Sequence, residues 1–373
     1  MRGKTGRAGG VSYLDANARE PLRPAARVAA LAAMDIGGNP ASVHAAGRAA
    51  RRVLEAAREQ IAQCFGASQA GVVFTSGGTE ANALAVHGLT QGAVRRRVII
   101  GATEHDAIRA AAPGAAILPV DAQGRAELTA LAALLAAGPA LVCLMLANNE
   151  TGVLHPIAEA ARLCHAAGAL LHVDAVQAAG RVPVDLAALG ADSLALSGHK
   201  LGGPPGAGAL LLAGDPVLVP LIVGGGQERG RRGGTPALPA IAGFAAAAGA
   251  AVAGFAKLAA LRDAIEAAAR AAGARVVGGE AARLPNTTCL VLPGVRADTQ
   301  VITLDLAGFQ VSAGAACSSG KVTDSHVLTA MGLGAHAGSA IRVSLPWNAT
   351  ADDANGFIAA YVAMAGRLLR QAA

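Results

Sequence analysis

At 373 residues the chain is long enough for two domains, each with a substantial core. Alanine and glycine dominate and aromatics make up only 2%, so the mean hydropathy of +0.44 reflects alanine and does not imply a membrane protein. The net charge of +6 comes partly from the N-terminal ten residues and from Arg95-Arg96-Arg97 and Arg229/Arg231/Arg232, and with so few rings to stack bases it argues against a nucleic-acid partner.

Met1 to Gly10 is basic but lacks an apolar core, which excludes a signal peptide and reads as a disordered tail. From about residue 70 to 215 short apolar strands alternate with alanine-rich helices. The strands expected are Val72–Phe74, Val98–Ile100, Ile117-Leu118, Leu141–Leu146, Leu170–Val173, Ser193–Leu196 and Ala209–Leu212. The helices include Ala81–His87, Ala126–Leu135 and Ile157–Ala166. Such alternation predicts an α/β fold with a mostly parallel sheet covered on both faces. Two stretches approach the length of a membrane span. Residues 130–147 are divided by Gly138-Pro139 into the end of a helix and a buried strand. Residues 240–256 are too rich in alanine and glycine to insert. A long helix over about Ala240–Ala272 leads into an α+β region with apolar segments at Arg275–Val277, Thr288–Leu292, Val301–Leu306 and Ile341–Ser344, and a last helix near Ala351–Leu369. The expected division is a large domain over 14–250 and a smaller one over 251–373, joined by about 1–13.

Five cysteines, with no Cys-x-x-Cys spacing, give neither a disulfide framework nor a structural zinc site and suit a reducing cytoplasm. Cys64, Cys143, Cys164 and Cys289 lie in apolar surroundings. Cys317 lies in the small-residue run Ser312–Lys321, where an accessible thiol can act as a nucleophile or be incidental.

Polar motifs follow the strand ends, where ligands sit in such sheets. Thr75-Ser76-Gly77-Gly78-Thr79-Glu80-Ala81-Asn82 leads from a strand into a helix and can seat a phosphate on backbone N–H groups and hydroxyls. An ordinary capped turn is the plainer reading. His105, after Thr103-Glu104, could stack on a flat cofactor, and Asn148-Asn149-Glu150 ends another strand. Asp174 closes a hydrophobic strand, where a buried carboxylate needs a cationic partner, with Gln177 three residues on. Ser197-Gly198-His199-Lys200 places a lone lysine beside small donors. An acid for a ring nitrogen and a lysine for an aldehyde are what a pyridoxal 5′-phosphate (PLP) enzyme provides. The basic Arg229–Thr235 loop suits a phosphate.

Taken in order, these segments resemble the cysteine desulfurases of the NifS/IscS-like group, within the class V aminotransferase branch of fold-type I PLP enzymes. The resemblance runs from Tyr13-Leu14-Asp15 through Gly38-Asn39-Pro40, Pro285-Asn286-Thr287 and Cys317 to Arg342-Val343-Ser344. It implies a large domain with a mostly parallel mixed sheet and a smaller α+β C-terminal domain. Lys200 is then the Schiff-base lysine, Asp174 the partner of the pyridine nitrogen, Gln177 a contact of the ring hydroxyl, and His105 the stacked ring and a proton carrier. Gly78, Thr79, Ser197, Gly198 and His199 hold the phosphate, with Thr235 reaching it from a neighbouring subunit of a homodimer. Asn149 and Arg342 position the substrate carboxylate. Cys317 matches the cysteine that takes sulfur from L-cysteine as a persulfide, releasing L-alanine, and passes it to an acceptor protein, such as an iron–sulfur scaffold.

Several positions depart from the family's pattern. Arg19-Glu20 stands where two threonines are frequent, Gly233 and Ala237 replace a serine and an asparagine, Pro205 a lysine, and Pro346 a glycine. A selenocysteine lyase or another class V aminotransferase is the enzymatic alternative. A non-catalytic scaffold in sulfur or iron–sulfur assembly is the other.

Overall fold

The computed structural model describes residues 10–92, 94–251, 256–313 and 325–372. The tail over 1–9 and Cys317 with its neighbours lie outside the described residues.

Seven strands form the main sheet, in the spatial order Val72–Thr75, Gly208–Leu212, Ser193–Ser197, Leu170–Asp174, Ala140–Met145, Arg97–Gly101 and Ala116–Leu118. Only Gly208–Leu212 runs antiparallel to its neighbours; the other pairings are parallel. The strands are apolar on both sides because both faces are covered. Ala140, Val142 and Leu144 enter one core with Leu171 and Val173, whereas the alternate Leu141 and Cys143 enter the opposite one with Ala195 and Leu210. The register sets Asp174 between Met145 and Ala195, in the middle of the row of strand carboxyl ends. Two of the loops leaving that row turn directly into helical structure: Gly78–Thr90 after the first strand, and the single turn Gly198–Lys200 after Ser193–Ser197.

A second core forms around the antiparallel sheet Ser312–Ala313, Ala340–Ser344, Thr287–Val291 and Arg275–Val276, packed by the helices Ala256–Ala271 and Ala351–Ala372. The chain start joins this part: Ser12–Tyr13 pairs in parallel with Phe309–Gln310, and Leu14 enters the second core. Over the long helical stretch expected from residue 240, the helix Leu238–Ala251 belongs to the first core and Ala256–Ala271 to the second; 252–255 lie outside the described residues. The apolar segment Val301–Leu306 forms the second half of the helix Ala297–Leu306. Its buried residues, Ala297, Gln300 and Leu304, follow helical spacing, while Ile302 and Leu306 face solvent. Among the described residues no helix is long and apolar enough to cross a membrane. Cys143, Cys164 and Cys289 are buried free thiols, and Cys64 is half-buried.

Candidate active site

A cavity of about 440 Å³ opens at the carboxyl ends of the strands. Gly78, Thr79, His105, Asn149, Asp174, Gln177, Ser197, His199, Lys200 and Arg342 all line it. Two expected residues among those described do not. Gly198 is buried beneath, where an added Cβ would stand 3.0 Å from the Phe244 Cβ and 3.1 Å from the Ala207 carbonyl. Thr235 lines a separate hollow with Thr75, Ser76 and Arg232. Cys317 lies outside the described residues; the strand preceding it, Ser312–Ala313, pairs with Arg342 and Ile341.

Asp174 is fixed from two sides. Its Oδ2 accepts from Asn82 Nδ2 at 2.7 Å and its Oδ1 from the Val176 N–H at 2.9 Å. Asn82 Oδ1 lies 2.9 Å from His172 Nε2, and His172 Nδ1 lies 2.8 Å from Ser193 Oγ. Because the Asn82 amide N–H is committed to the carboxylate, its oxygen must accept. The imidazole therefore carries its proton on Nε2 and accepts from Ser193 on Nδ1. Burial pushes His172 down to about 3, so the relay is neutral. Burial also raises Asp174, opposed by the Val176 N–H, His105, Asn82 and Lys200.

The opposite wall is cationic. Arg342 donates to the Asn149 carbonyl at 3.1 Å and to Asp15 Oδ1 at 2.7 Å, while its buried Nε has no partner among the described residues. Lys200 Nζ donates to the Ala18 carbonyl at 3.0 Å and to the Asn17 carbonyl. Burial, then Arg342 and Arg181, lower the amine to about 7. Burial and the neighbouring Lys200 bring His199 down to about 4. His105 sits at the rim, where its Nδ1 caps a short helix by accepting from the Ala107 N–H at 3.1 Å.

The class V aminotransferase model matches residues 12–357. The chain belongs to the class V aminotransferase family. A cysteine desulfurase of Cereibacter sphaeroides is 43% identical over 91% of this chain and 92% of its own length. An IscS-like cysteine desulfurase of Mycobacterium tuberculosis is 38% identical over 90% and 91%. The X-ray structure of a NifS-like protein from Rickettsia africae superposes with a TM-score of 0.88 at 35% identity, covering 95% of this chain and 99% of that one.

Class V aminotransferases are PLP enzymes, and the cavity suits that cofactor. The helix Gly78–Thr90 starts at an extended Gly77 with no side-chain cap, leaving its first N–H groups for an anion. Beside it the buried Ser197 Oγ has no partner among the described residues. Gly78 keeps this corner open, since an added Cβ would come within 2.6 Å of Val176 Cγ2 and 3.3 Å of Ser197 Cβ. The same cavity holds a buried carboxylate, Asp174, and a lysine lowered to about 7, groups of the kind that would pair with a ring nitrogen and bind an aldehyde.

Four polar residues of the site's surroundings carry no local signal of their role in the sequence. Asn82 and His172 form the relay; His172 lies two residues before Asp174 and so on the same strand face, which was the available clue. Asn17 accepts from Lys200 and Gln177 through its carbonyl, and Arg181 anchors the Gln177 amide. No sequence pattern marks either.

Proposed function

We propose that this chain is a PLP-dependent cysteine desulfurase, converting L-cysteine to L-alanine and a persulfide on Cys317. The reading rests on Lys200, Asp174 and Arg342 sharing one cavity, in a family whose compared members include named cysteine desulfurases.

When bound, PLP supplies an electron sink that acidifies the α-carbon of an attached amino acid. The chain's residues carry the rest. Thr79, Ser197 and His199, with the helix start at Gly78, would hold the phosphate; Asp174 would keep the ring nitrogen protonated, and the Asn82–His172–Ser193 relay fixes that carboxylate. Gln177 would contact the ring hydroxyl and His105 would face the ring. Arg342 and Asn149 grip the substrate carboxylate, which orients the α-hydrogen toward Lys200. An amine lowered to about 7 is half free at neutral pH and can take that proton and return it. The Cys317 thiolate attacks the substrate sulfur: an S–S bond forms, the C–S bond breaks, and the β-carbon keeps the electron pair, takes up a proton and leaves as alanine, with the substrate sulfur retained on Cys317. A free thiol has a pKa of about 8.5, so proton transfer must assist, and His105 at the rim is the carrier we assign.

The reading extends to assembly. Thr235 reaches the phosphate of a second copy in a homodimer, a reading supported by its lining a hollow other than the cavity of its own chain. The exposed Val217, Leu221, Ile222 and Val223 offer apolar surface to such a copy. We read the two cores as two domains, divided near 14–250 and 251–373 with 1–13, except that Leu14 packs with the second. The persulfide passes to an acceptor protein in the cytoplasm.

The test combines absorbance with product analysis. L-Cysteine should change the spectrum of the PLP-loaded protein and yield alanine and sulfide with a reductant. Lys200→Ala should lose the lysine-bound absorbance band and about 10⁴-fold of turnover. Cys317→Ala should keep the band and lose sulfide release; unchanged turnover in Cys317→Ala would sink desulfuration in favour of another class V reaction.

A further inference from the structure

Glu20, one of the positions departing from the family's pattern, is completely buried and so is its partner. The side chains of Glu20 and Arg181 are both 0% exposed and meet at 3.2 Å between Oε2 and Nη2. A buried arginine without a carboxylate is a stranded charge, and the frequent threonine would supply none. The pair is tied to the cavity wall through the two terminal nitrogens of Arg181, while its buried Nε has no partner among the described residues. Arg181 Nη2 also donates to the Ala16 carbonyl at 3.1 Å, while Nη1 donates to the Gln177 carbonyl at 3.0 Å and to Gln177 Oε1. With its oxygen so engaged, Gln177 turns Nε2 to the Asn17 carbonyl at 3.0 Å. Lys200 donates to the carbonyls of Asn17 and Ala18. The Glu20 N–H donates to the His199 carbonyl at 3.0 Å, and Glu20 Oε1 accepts from the Trp347 N–H at 2.6 Å. Three consecutive carbonyls, Ala16 to Ala18, are thus held by Arg181, Gln177 and Lys200, and the end of the segment is held by Glu20.

We propose that the Glu20–Arg181 ion pair is a positioning element of this active site, fixing the Gln177 amide and the 16–20 segment against which the Lys200 amine rests. Neither residue lines the cavity, so both act through Gln177, Asn17 and Lys200. The inference rests on the PLP reading only for its cofactor-affinity readout. The charges around Lys200 are Arg342 and Arg181, which lower its pKa, and Asp15 and Asp174, which raise it; His199 adjoins it. Glu20 offsets Arg181 within that set.

The test uses the full chain freed of PLP, labelled with trinitrobenzenesulfonate from pH 5 to 10. The Lys200 peptide is quantified by mass spectrometry against the exposed Lys257. In Glu20→Gln the uncompensated Arg181 should lower the labelling midpoint of Lys200 by about one unit and weaken PLP binding about tenfold. Should that variant fail to fold, Glu20→Met/Arg181→Met removes both charges and decides. Its midpoint should rise, because Arg181 no longer repels the amine, while PLP binding still weakens because Gln177 has lost its anchor. Midpoints within about 0.2 unit of the parent in the folded variants would make the pair mere packing and overturn the proposal. If the parent itself bound no PLP, the cofactor reading would fall, and the labelling midpoints would still decide the role of the pair.

Discussion

The two walls of the cavity are held by different forces. On the sheet side, Asp174 is the end of a chain of neutral hydrogen bonds through Asn82, His172 and Ser193, all buried. On the loop side, Arg342 and the buried Arg181 sit in ion pairs with Asp15 and Glu20, and their other tethers come from Ala16, Asn149 and Gln177. The first wall sets one carboxylate against buried neutral groups, where it acts more strongly on a cation than it would in water. The second gathers cations, and their field is part of what frees the Lys200 amine. One wall is suited to holding charge during the reaction, the other to recognising a carboxylate.

Removing the isolated charge should break that division most severely. Asp174→Asn keeps the shape and a hydrogen bond to the relay but leaves the ring nitrogen without its anion. Turnover of cysteine to alanine should fall on the order of 10²- to 10³-fold in kcat, the scale of losing one preorganised electrostatic contact. A loss below about threefold would mean that the sheet wall supplies packing only. On the other wall, Arg342→Gln removes a charge-assisted grip on the carboxylate, worth about 2 kcal/mol, or about thirtyfold in kcat/KM. That loss should appear mainly in KM. Appearing in kcat alone, it would move Arg342 from recognition to chemistry and blur the contrast between the walls.

The same contrast governs how much the sequence reveals. Strands such as Leu170–Asp174 are legible because leucine and valine runs buried on both faces have no other home, and the acid that ends the run marks the site. Lys200 is legible for the same reason, as a charge at a strand end. Val301–Leu306 is ambiguous in the sequence because its β-branched residues favour an extended chain, while burial of Gln300 and Leu304 on one helical face decides for a helix. The relay is nearly silent, since a neutral asparagine and histidine in apolar elements have no periodicity to betray a partner. The Glu20–Arg181 pair is silent altogether, because its members lie 161 residues apart and meet only in the fold. Thr235 stands apart: its expected role needs a second chain, and within its own chain it faces another hollow.

The smallest effect tests the neutrality on which the comparison depends. His172 is held at about 3, far below its ordinary 6.5, so between these values an unfolded chain binds a proton that the folded chain refuses. Stability contributed by this group is therefore fully present above pH 6.5 and declines as the pH falls toward 3, by up to about 1.4 kcal/mol per unit. His172→Asn removes the titration while keeping a polar group behind Asn82. Urea unfolding of both proteins should give a constant difference in stability above about pH 7. From pH 6.5 to 4.5 the parent should lose about 2 to 3 kcal/mol relative to the variant. His155, lowered by burial to about 4, and Glu150, raised by burial to about 7, are present in both proteins and cancel in the difference. Parallel curves would show that folded His172 accepts a proton near its ordinary pKa. The sheet wall would then carry a cation of its own, and the two walls would differ in position but not in kind.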